Sequence, residues 1–378
     1  MLFRSKPGNY TIEVGYNGTK IIFPITIKNT IVSQDVSRGI NSNYNYKVQL
    51  LNSTGEAIKN INVTVTVNGK SKTFTTDNSG YISIPFTKLT SNQVVTVLNP
   101  ITKEQSKNTI RVVSRFFGNK NIRLYYNNGT KYTLKVYGDD AKLVGGNQIV
   151  VIKLNKKTYE VKTNNKGVAS LRIPKSLKPG TYTITATYKG QTIKNTVKVL
   201  SRIAGNKNIS MHYFDGSKYT LKVYGKTGKL LSKQTVTIKL NKKTYKIKSN
   251  KKGVAIFKIP KTVKPGTYTI SASYAGLTVK NKLKVKQVIS SQKTKTVKRW
   301  WKKFTLKATL KNGKKPLKGK KIIFKFKGKT YKVKTNSKGV AKVTIKRKVI
   351  RKLKRGNSYK VTISYLKDTI KRTVYVKR

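Results

Sequence analysis

Four copies of one short motif, almost evenly spaced, restrict this chain more than any other feature. The pattern Thr/Ser-Asp/Asn-x-Ser/Lys-Gly runs from Thr76 to Gly80, Thr163 to Gly167, Ser249 to Gly253 and Thr335 to Gly339. Its glycines stand 87, 86 and 86 residues apart, and Val-Ala follows the last three, at Val168-Ala169, Val254-Ala255 and Val340-Ala341. A period of this length means one structural unit used several times in tandem. Glycine takes positive φ without steric cost, and an Asp or Asn ahead of it can bond its own backbone. The motif therefore predicts a hairpin turn between two strands of each unit.

A second motif keeps step with the first. Pro179-Gly180-Thr181-Tyr182 and Pro265-Gly266-Thr267-Tyr268 are 86 residues apart, with a looser version at Arg355-Gly356-Asn357-Ser358-Tyr359 and Val94 in the tyrosine's place in the first full repeat. Around these motifs apolar and polar residues alternate, as in Thr183–Tyr188 and Tyr331–Thr335, the period of a half-buried strand. Each repeat offers about seven such runs bounded by Gly, Asn or Pro, and no helical period stands out. Seven strands in a repeat of this size fit a Greek-key sandwich, whose usual length is about 100 residues. A tyrosine opening a strand just after a turn is where the tyrosine corner of such sandwiches lies; a generic strand tyrosine is the alternative. The expected fold class is all-β: tandem immunoglobulin-like Greek-key β-sandwich domains, strung as beads on a rod.

The motifs also set boundaries. Pro7-Gly8-Asn9-Tyr10-Thr11-Ile12 matches Pro179 to Ile184. Residues 1–32 are thus expected to be the last two strands of a truncated repeat, followed by repeats at 33–113, 114–200, 201–287 and 288–378. Two strands cannot bury a core alone. The expectation is a chain that continues a longer protein, with a signal region ahead of it; a true start with a stray hairpin is the alternative. Met1 to Pro7 shows no apolar stretch of signal-peptide length. Ser114-Arg115-Phe116-Phe117-Gly118-Asn119 recurs as Ser201-Arg202-Ile203-Ala204-Gly205-Asn206 with no flexible spacer, so a semi-rigid arrangement is expected.

Several kinds of chemistry are excluded. The chain has no cysteine, hence no disulfide, thiol nucleophile or thiolate zinc site. The one histidine, His212, lies beside Met211 and Tyr213 and reads as a strand-surface or packing residue. Asp139-Asp140 reads as a loop pair, because a calcium site wants six to eight oxygens. No segment approaches the roughly 18 apolar residues of a membrane span. No catalytic, cofactor-binding or metal-binding residue is expected, and the chain reads as non-enzymatic with no cofactor.

Charge is the remaining signal. The chain carries 84 Lys+Arg against 10 Asp+Glu, a formal net charge of +74. Counted along the sequence, residues 1–113 have 13 basic and 5 acidic residues, 114–200 have 17 and 3, 201–287 have 21 and 1, and 288–378 have 33 and 1. The net charge therefore climbs from +8 through +14 and +20 to +32. Solubility needs far less, and charge of this size destabilises a compact state by self-repulsion. A gradient with one basic end predicts a polyanionic partner there. The candidate contacts are Lys302, Lys303, Lys314, Lys315, Lys320, Lys321, Arg347, Lys348, Arg351, Lys352, Lys354 and Arg355. Trp300 and Trp301 are adjacent, which on a strand would send one ring to the core and leave the other exposed, to stack on a sugar or to pack on the preceding repeat.

The Thr/Ser-Asp/Asn-x-x-Gly-x-Ala turn resembles that of bacterial Ig-like repeats in invasin-type surface proteins. The Lys-Pro-Gly-Thr-Tyr-Thr-Ile strand, the Tyr-Thr-Leu-Lys-Val-Tyr-Gly segments at 132–138 and 219–225, and the Lys/Asn/Tyr-rich composition resemble more closely the large adhesin-like proteins of methanogenic archaea. The resemblance implies an extracellular, wall-associated protein that mediates attachment, and carries over no catalytic residue. Six Asn-x-Ser/Thr sequons, at Asn9, Asn17, Asn52, Asn62, Asn128 and Asn208, suit a glycosylated surface protein or arise by chance in an Asn- and Thr-rich chain. The partners expected are an anionic cell-wall polymer or surface glycan, a host or neighbouring-cell surface, and nucleic acid only non-specifically through charge. A structural component of a phage or pilus is the alternative role.

Overall fold

The computed structural model describes residues 6–378; Met1 to Ser5 lie outside the described residues. The chain forms two compact units, one up to Val199 and one from Leu200 to Arg378.

In the first unit, residues 114–200 show the pattern most plainly. A three-stranded sheet joins Phe116–Phe117, Lys131–Val136 and Val168–Arg172. A five-stranded sheet runs in the order Ile122–Tyr125, Gln191–Leu200, Gly180–Tyr188, Ile149–Leu154, Lys157–Lys162. Sheets of the same order occur between Ile31 and Val113 in this unit, the opening strand Ile31–Val32 lying just ahead of the expected boundary, and within 201–287 in the second. They occur again in 288–378, where the smaller sheet gains the two-residue strand Lys315–Pro316. The chain is thus a series of immunoglobulin-like β-sandwiches. The expected seven strands become eight because the opening strand breaks in two. Its first part pairs antiparallel in the small sheet (Ile203↔Val223) and its second runs parallel to the last strand of the large one (Ile209↔Leu283). Alternation builds the core. Inward-facing Leu134, Val136, Val150, Ile152, Ile184, Ala186 and Val197 are buried, with Thr and Lys between them facing out.

The structure corrects the reading of the glycine motif. The strands on either side of it, Lys157–Lys162 and Val168–Arg172, belong to different sheets. The motif is therefore the crossing between sheets, not a hairpin turn. Each residue has a task there. The buried Thr163 hydroxyl donates to Gly145 O at 2.7 Å and accepts from Gln148 N at 3.0 Å. Asn164 Oδ1 accepts the N–H groups of Lys166 and Val168, each at 3.0 Å. Gly167 has φ +65°, and a Cβ there would stand 2.7 Å from Val144 O. Only glycine fits such a close approach with positive φ. The turn chemistry of a hairpin and of a crossing is locally the same, which is why spacing alone could not separate them.

The second motif has a specific bond. Tyr182 Oη donates to Lys178 O at 2.8 Å and Tyr268 Oη to Lys264 O at 2.9 Å, the backward hydrogen bond of a tyrosine corner. Tyr10 Oη does the same to Lys6 O at 2.6 Å. In the last repeat the sense reverses, and Tyr359 Oη accepts from Lys354 N at 2.7 Å. The N-terminal segment is a hairpin, Gly8–Tyr16 against Thr19–Ile27, whose register from Gly8↔Ile27 to Tyr16↔Thr19 parallels Gly180↔Val199 to Tyr188↔Gln191. Tyr10, Ile12, Val14, Ile21, Phe23 and Ile25 share one face and are exposed, whereas Ile184, Ala186 and Val197 are buried in the intact repeat.

Two further features were not expected. A one-turn helix, Arg347–Ile350, lies in the insertion of the last repeat and, with the turn after it, buries Val349, Ile350 and Leu353. Four residues are too few to show a helical period. Within the first unit, Arg115 is fully buried between the 33–113 and 114–200 repeats. Its Nε donates to Ile40 O at 2.7 Å and its Nη2 to Asp139 Oδ1 at 2.6 Å, while Lys189 also pairs with Asp139. Gly39 N adds a bond to Asp139 O at 3.1 Å. Burial pushes the Asp139 carboxyl up, but the bonds and charges of Lys189 and Arg115 outweigh it and hold the group below its ordinary value.

Candidate functional site

The charge gradient has an address in the structure. Outward positions on the five-stranded sheet of the 33–113 repeat hold Thr64, Thr66, Thr73, Thr75 and Thr96, with Lys107 beside Thr96. In the 114–200 repeat the same face carries Lys153, Lys162, Lys194 and Lys198 with Glu160 among them. In the last repeat it carries Lys321, Lys325, Lys332, Lys334, Lys360 and Lys371, all exposed, and no acid. Thr330, Thr362 and Thr373 fill the spaces between them. Cross-strand Cβ atoms are about 5 Å apart. Lys321 directly opposes Lys334, and on the other sheet Lys303 opposes Lys346 and Lys307 opposes Lys342. Two unit charges about 6 Å apart in water repel by about 0.7 kcal/mol before salt screens them. The last repeat carries three such pairs over its two sheets, and a polyanion would relieve them.

The residues named from sequence fall into two groups at opposite ends of the last sandwich. Strand Lys303–Asn312 spans its length. Lys314, Lys315, Lys320 and Lys321 cluster at its far end, where Lys320 N donates to Thr335 Oγ1 at 2.9 Å. Lys302, Lys303, Arg347, Lys348, Arg351, Lys352, Lys354 and Arg355 gather at its near end, around the helix whose apolar side is buried. All twelve side chains are exposed. Only Lys321 also belongs to the lysine face of the large sheet. Runs of basic residues mark loops in the sequence, while a sheet face has to be assembled from every second residue of several strands.

The tryptophans do not behave as a strand pair. Trp300 and Trp301 lie in a turn, Trp300 is 55% exposed, Trp301 is half-buried, and neither is in the core. Lys298 Nζ sits 5.1 Å from the Trp300 ring centroid, a cation–π contact. Arg299 Nη2 donates to Arg351 O at 3.2 Å, tying this turn to the insertion. The contact with the preceding repeat lies at the other end, where Lys367 N donates to Tyr213 Oη at 3.1 Å and a Cβ on Gly313 would lie 3.5 Å from His212 Cε1. Trp300 and Trp301 therefore do not pack on that repeat.

Two cations escaped the sequence reading because they occupy positions that are neutral in the other repeats. In 114–200, the buried Tyr132 donates through Oη to Asn195 Oδ1 at 2.7 Å, and Asn119 Nδ2 donates to the same oxygen at 2.9 Å. Tyr219, Asn281 and Asn206 repeat this at 2.7 and 2.8 Å. Burial pushes the hydroxyls of Tyr132 and Tyr219 up to about 12. In 288–378, register places Leu306 where the tyrosine stood and Arg372 where the asparagine stood. Lys295, paired with Val374, takes the place of Ile209, paired with Leu283. Lys295 and Arg372 are both half-buried on the core-facing side of the large sheet. Arg372 Nε donates to Ser291 O at 3.1 Å and Nη1 to Lys371 O at 2.9 Å, and Ser291 Oγ donates to Lys307 O at 2.6 Å. A cleft beside them is lined by the half-buried Lys295 and Arg372, by the exposed Lys307 and Lys342, and by Leu306, Val361 and Ile363.

Asp368 is the one acidic residue of the last repeat and is fully buried. It accepts Val288 N at 2.7 Å, Ile289 N at 3.1 Å and Gln287 Nε2 at 3.2 Å. Burial raises its carboxyl above the ordinary value despite these bonds. Among the described residues, no group of three or more His, Asp or Glu is placed to hold a metal ion. No helix there is long and apolar enough to cross a membrane.

No family model matches the chain, and no curated protein matches it. Among solved structures, the titin I9–I11 tandem is similar at 16% identity and TM-score 0.28, over 69% of this chain and 98% of that one. A Ca2+-stabilized adhesin that helps an Antarctic bacterium bind ice gives 12% and 0.22, over 90% and 95%. The N-terminal four Ig domains of Dscam1 give 10% and 0.21, over 98% and 100%. The architecture of the present chain rests on its own sheets and registers.

Proposed function

We propose that the chain is a non-enzymatic, adhesin-like protein of the cell exterior, of the kind displayed by methanogenic archaea, whose immunoglobulin-like repeats carry a basic last repeat that holds an anionic cell-wall polymer or surface glycan. The observation that carries this reading is the exchange of threonine for lysine on one sheet face along the repeats: Lys239, Lys246, Lys248, Lys280, Lys282 and Lys284 stand there in 201–287, and Lys321, Lys325, Lys332, Lys334, Lys360 and Lys371 in the last repeat, in both without an acid. Polar outward positions suffice to keep a sandwich soluble, and the Thr-lined face of residues 33–113 meets that need. On this face the last repeat sets lysine directly against lysine, at Lys321 and Lys334, which costs stability and has its use in an anionic partner. The exposed cations at both ends of the same sandwich, and Trp300 with Lys298, extend the surface available to such a polymer.

The test is the binding of the full chain to an immobilised anionic polysaccharide across a salt series, with a variant in which those six lysines become threonine. Binding that weakens steeply with salt, and a shallower slope in the variant, supports the reading. Binding insensitive to salt, or an unchanged slope, contradicts it.

A further inference from the structure

We infer that the cleft of the last repeat is a binding site for one acidic saccharide unit, bearing a carboxylate or phosphate, of the polymer proposed above. The inference rests on that reading and assigns its anion to Lys295 and Arg372, with the exposed Lys307 and Lys342 at the rim. Three inner positions change together between the other repeats and this one. A hydroxyl and amide network that closes the gap between the sheets, Tyr132 to Asn195 and Tyr219 to Asn281, gives way to Leu306 and Arg372. An isoleucine gives way to Lys295. The matching cleft of the 33–113 repeat is lined by Val36, Tyr44 and Tyr46 with Lys47 alone for charge, and there Tyr46 Oη donates to Gln34 O at 2.8 Å. Putting a lysine and an arginine on the core side of a sheet is costly unless something anionic meets them. A merely solvated cation would sit outward, as the other lysines do.

The lining matches a sugar better than a nucleobase. Ser290, Ser291, Gln292, Thr305 and Thr309 offer hydroxyl and amide partners for ring hydroxyls. Leu306, Val361 and Ile363 form an apolar floor for ring C–H groups, and no aromatic side chain lines the cleft. Nucleic acid without sequence readout is held by stacking on aromatic rings, which this cleft does not provide. Arg372 is anchored through Nε and Nη1, so its planar fork is already oriented for an oxyanion.

The experiment uses the full chain and short probes, an oligogalacturonate and a glycerol-phosphate oligomer, with a single-stranded oligonucleotide of equal charge, each titrated calorimetrically. The variant Lys295→Ile/Arg372→Asn restores the residue types of the 201–287 repeat. Its control, Lys251→Ala/Lys252→Ala, removes the same charge from an exposed turn of the 201–287 repeat. Melting curves verify that both variants fold. The site predicts saturable binding of one or both acidic oligomers, weakened at least tenfold in the first variant and less than twofold in the second, with the oligonucleotide binding more weakly than the preferred oligomer. The preferred oligomer then tells carboxylate from phosphate. Equal weakening in the two variants, or equal affinity for the oligonucleotide, overturns the cleft while the polymer still binds and leaves the broader reading standing. Failure of the wild-type chain to bind both the oligomers and the long polymer overturns both.

Discussion

The 114–200 and 288–378 repeats share one scaffold and spend its inner polar positions differently. In the first, Tyr132, Asn195 and Asn119 satisfy one another and close the sandwich. In the second, Leu306 and Arg372 leave the same place open and positively charged. The crossing motif is meanwhile unchanged: Thr163 and Thr335 are both buried, and each donates its hydroxyl across the chain, to Gly145 O at 2.7 Å and to Leu317 O at 2.5 Å. The positions that cross between sheets are held by backbone geometry, so they cannot vary without loss of the fold. The positions at the mouth of the sandwich need only be satisfied, and that freedom is where one repeat can acquire a use the others lack.

The largest expected effect strikes both repeats alike. Gly167→Ala and Gly339→Ala place a Cβ against backbone with φ at +65° and +71°. Each should destabilise its repeat by about 3 kcal/mol or more, since positive φ alone costs a side-chain residue about 1–2 kcal/mol. Denaturant melts of the full chain check this, and a tolerated alanine in one repeat would break the claim of a shared crossing. Next comes a change specific to the front. Arg115→Ala strips Ile40 O of its buried donor and leaves Asp139 with Lys189 alone, which should cost up to about 3 kcal/mol. Val288 occupies the matching place in the last repeat, so no ion pair of this kind is available there.

A smaller effect separates the repeats by pH. Phenol groups raised from an ordinary value of 10 to about 12 favour the neutral folded form. Their stabilising contribution is full below about pH 10 and is lost as the pH climbs to about 12. Tyr132→Phe should flatten that alkaline loss in the 114–200 repeat by about 2 kcal/mol in melts across this range. In the last repeat Leu306 stands in that place and contributes none of this loss, and burial raises the Tyr365 hydroxyl there instead. The smallest effect is at the acid side. The raised Asp368 carboxyl contributes stability in full below its ordinary value of 3.8, and loses it as the pH rises through the raised folded value. The stability of Asp368→Asn relative to the parent chain should therefore improve as the pH rises from about 4 toward neutrality. A difference that shrinks instead would show that the carboxyl is held low.

Much of this was legible in the sequence, and the exceptions have physical causes. Motif spacing set the repeat length and strand alternation gave the all-β class, because inward and outward faces differ in polarity wherever a core exists. The tyrosine after each Pro-Gly was legible because its bond is local, Tyr182 to Lys178. The sheet crossing at Thr163–Gly167 was not, because which sheet a strand joins is decided by distant partners. Trp300 and Trp301 were misplaced because adjacency implies opposite faces only on a strand, and they sit in a turn. The clustered cations from Lys302 to Arg355 were easy to name, whereas Lys295 and Arg372 carry the same charge in ordinary company. Their meaning appears only when register shows them standing where Ile209 and Asn281 stand in a sister repeat.

The central claim is that the basic surface of the last repeat, rather than the chain's charge at large, meets an anionic polymer. Lysine acylation footprinting of the full chain, with and without an anionic polysaccharide at moderate salt, addresses it residue by residue. The account predicts protection of Lys321, Lys325, Lys332, Lys334, Lys360 and Lys371, with Lys153, Lys162, Lys194 and Lys198 modified as in the free protein. Uniform protection along the chain, or protection confined to the front repeats, would contradict it.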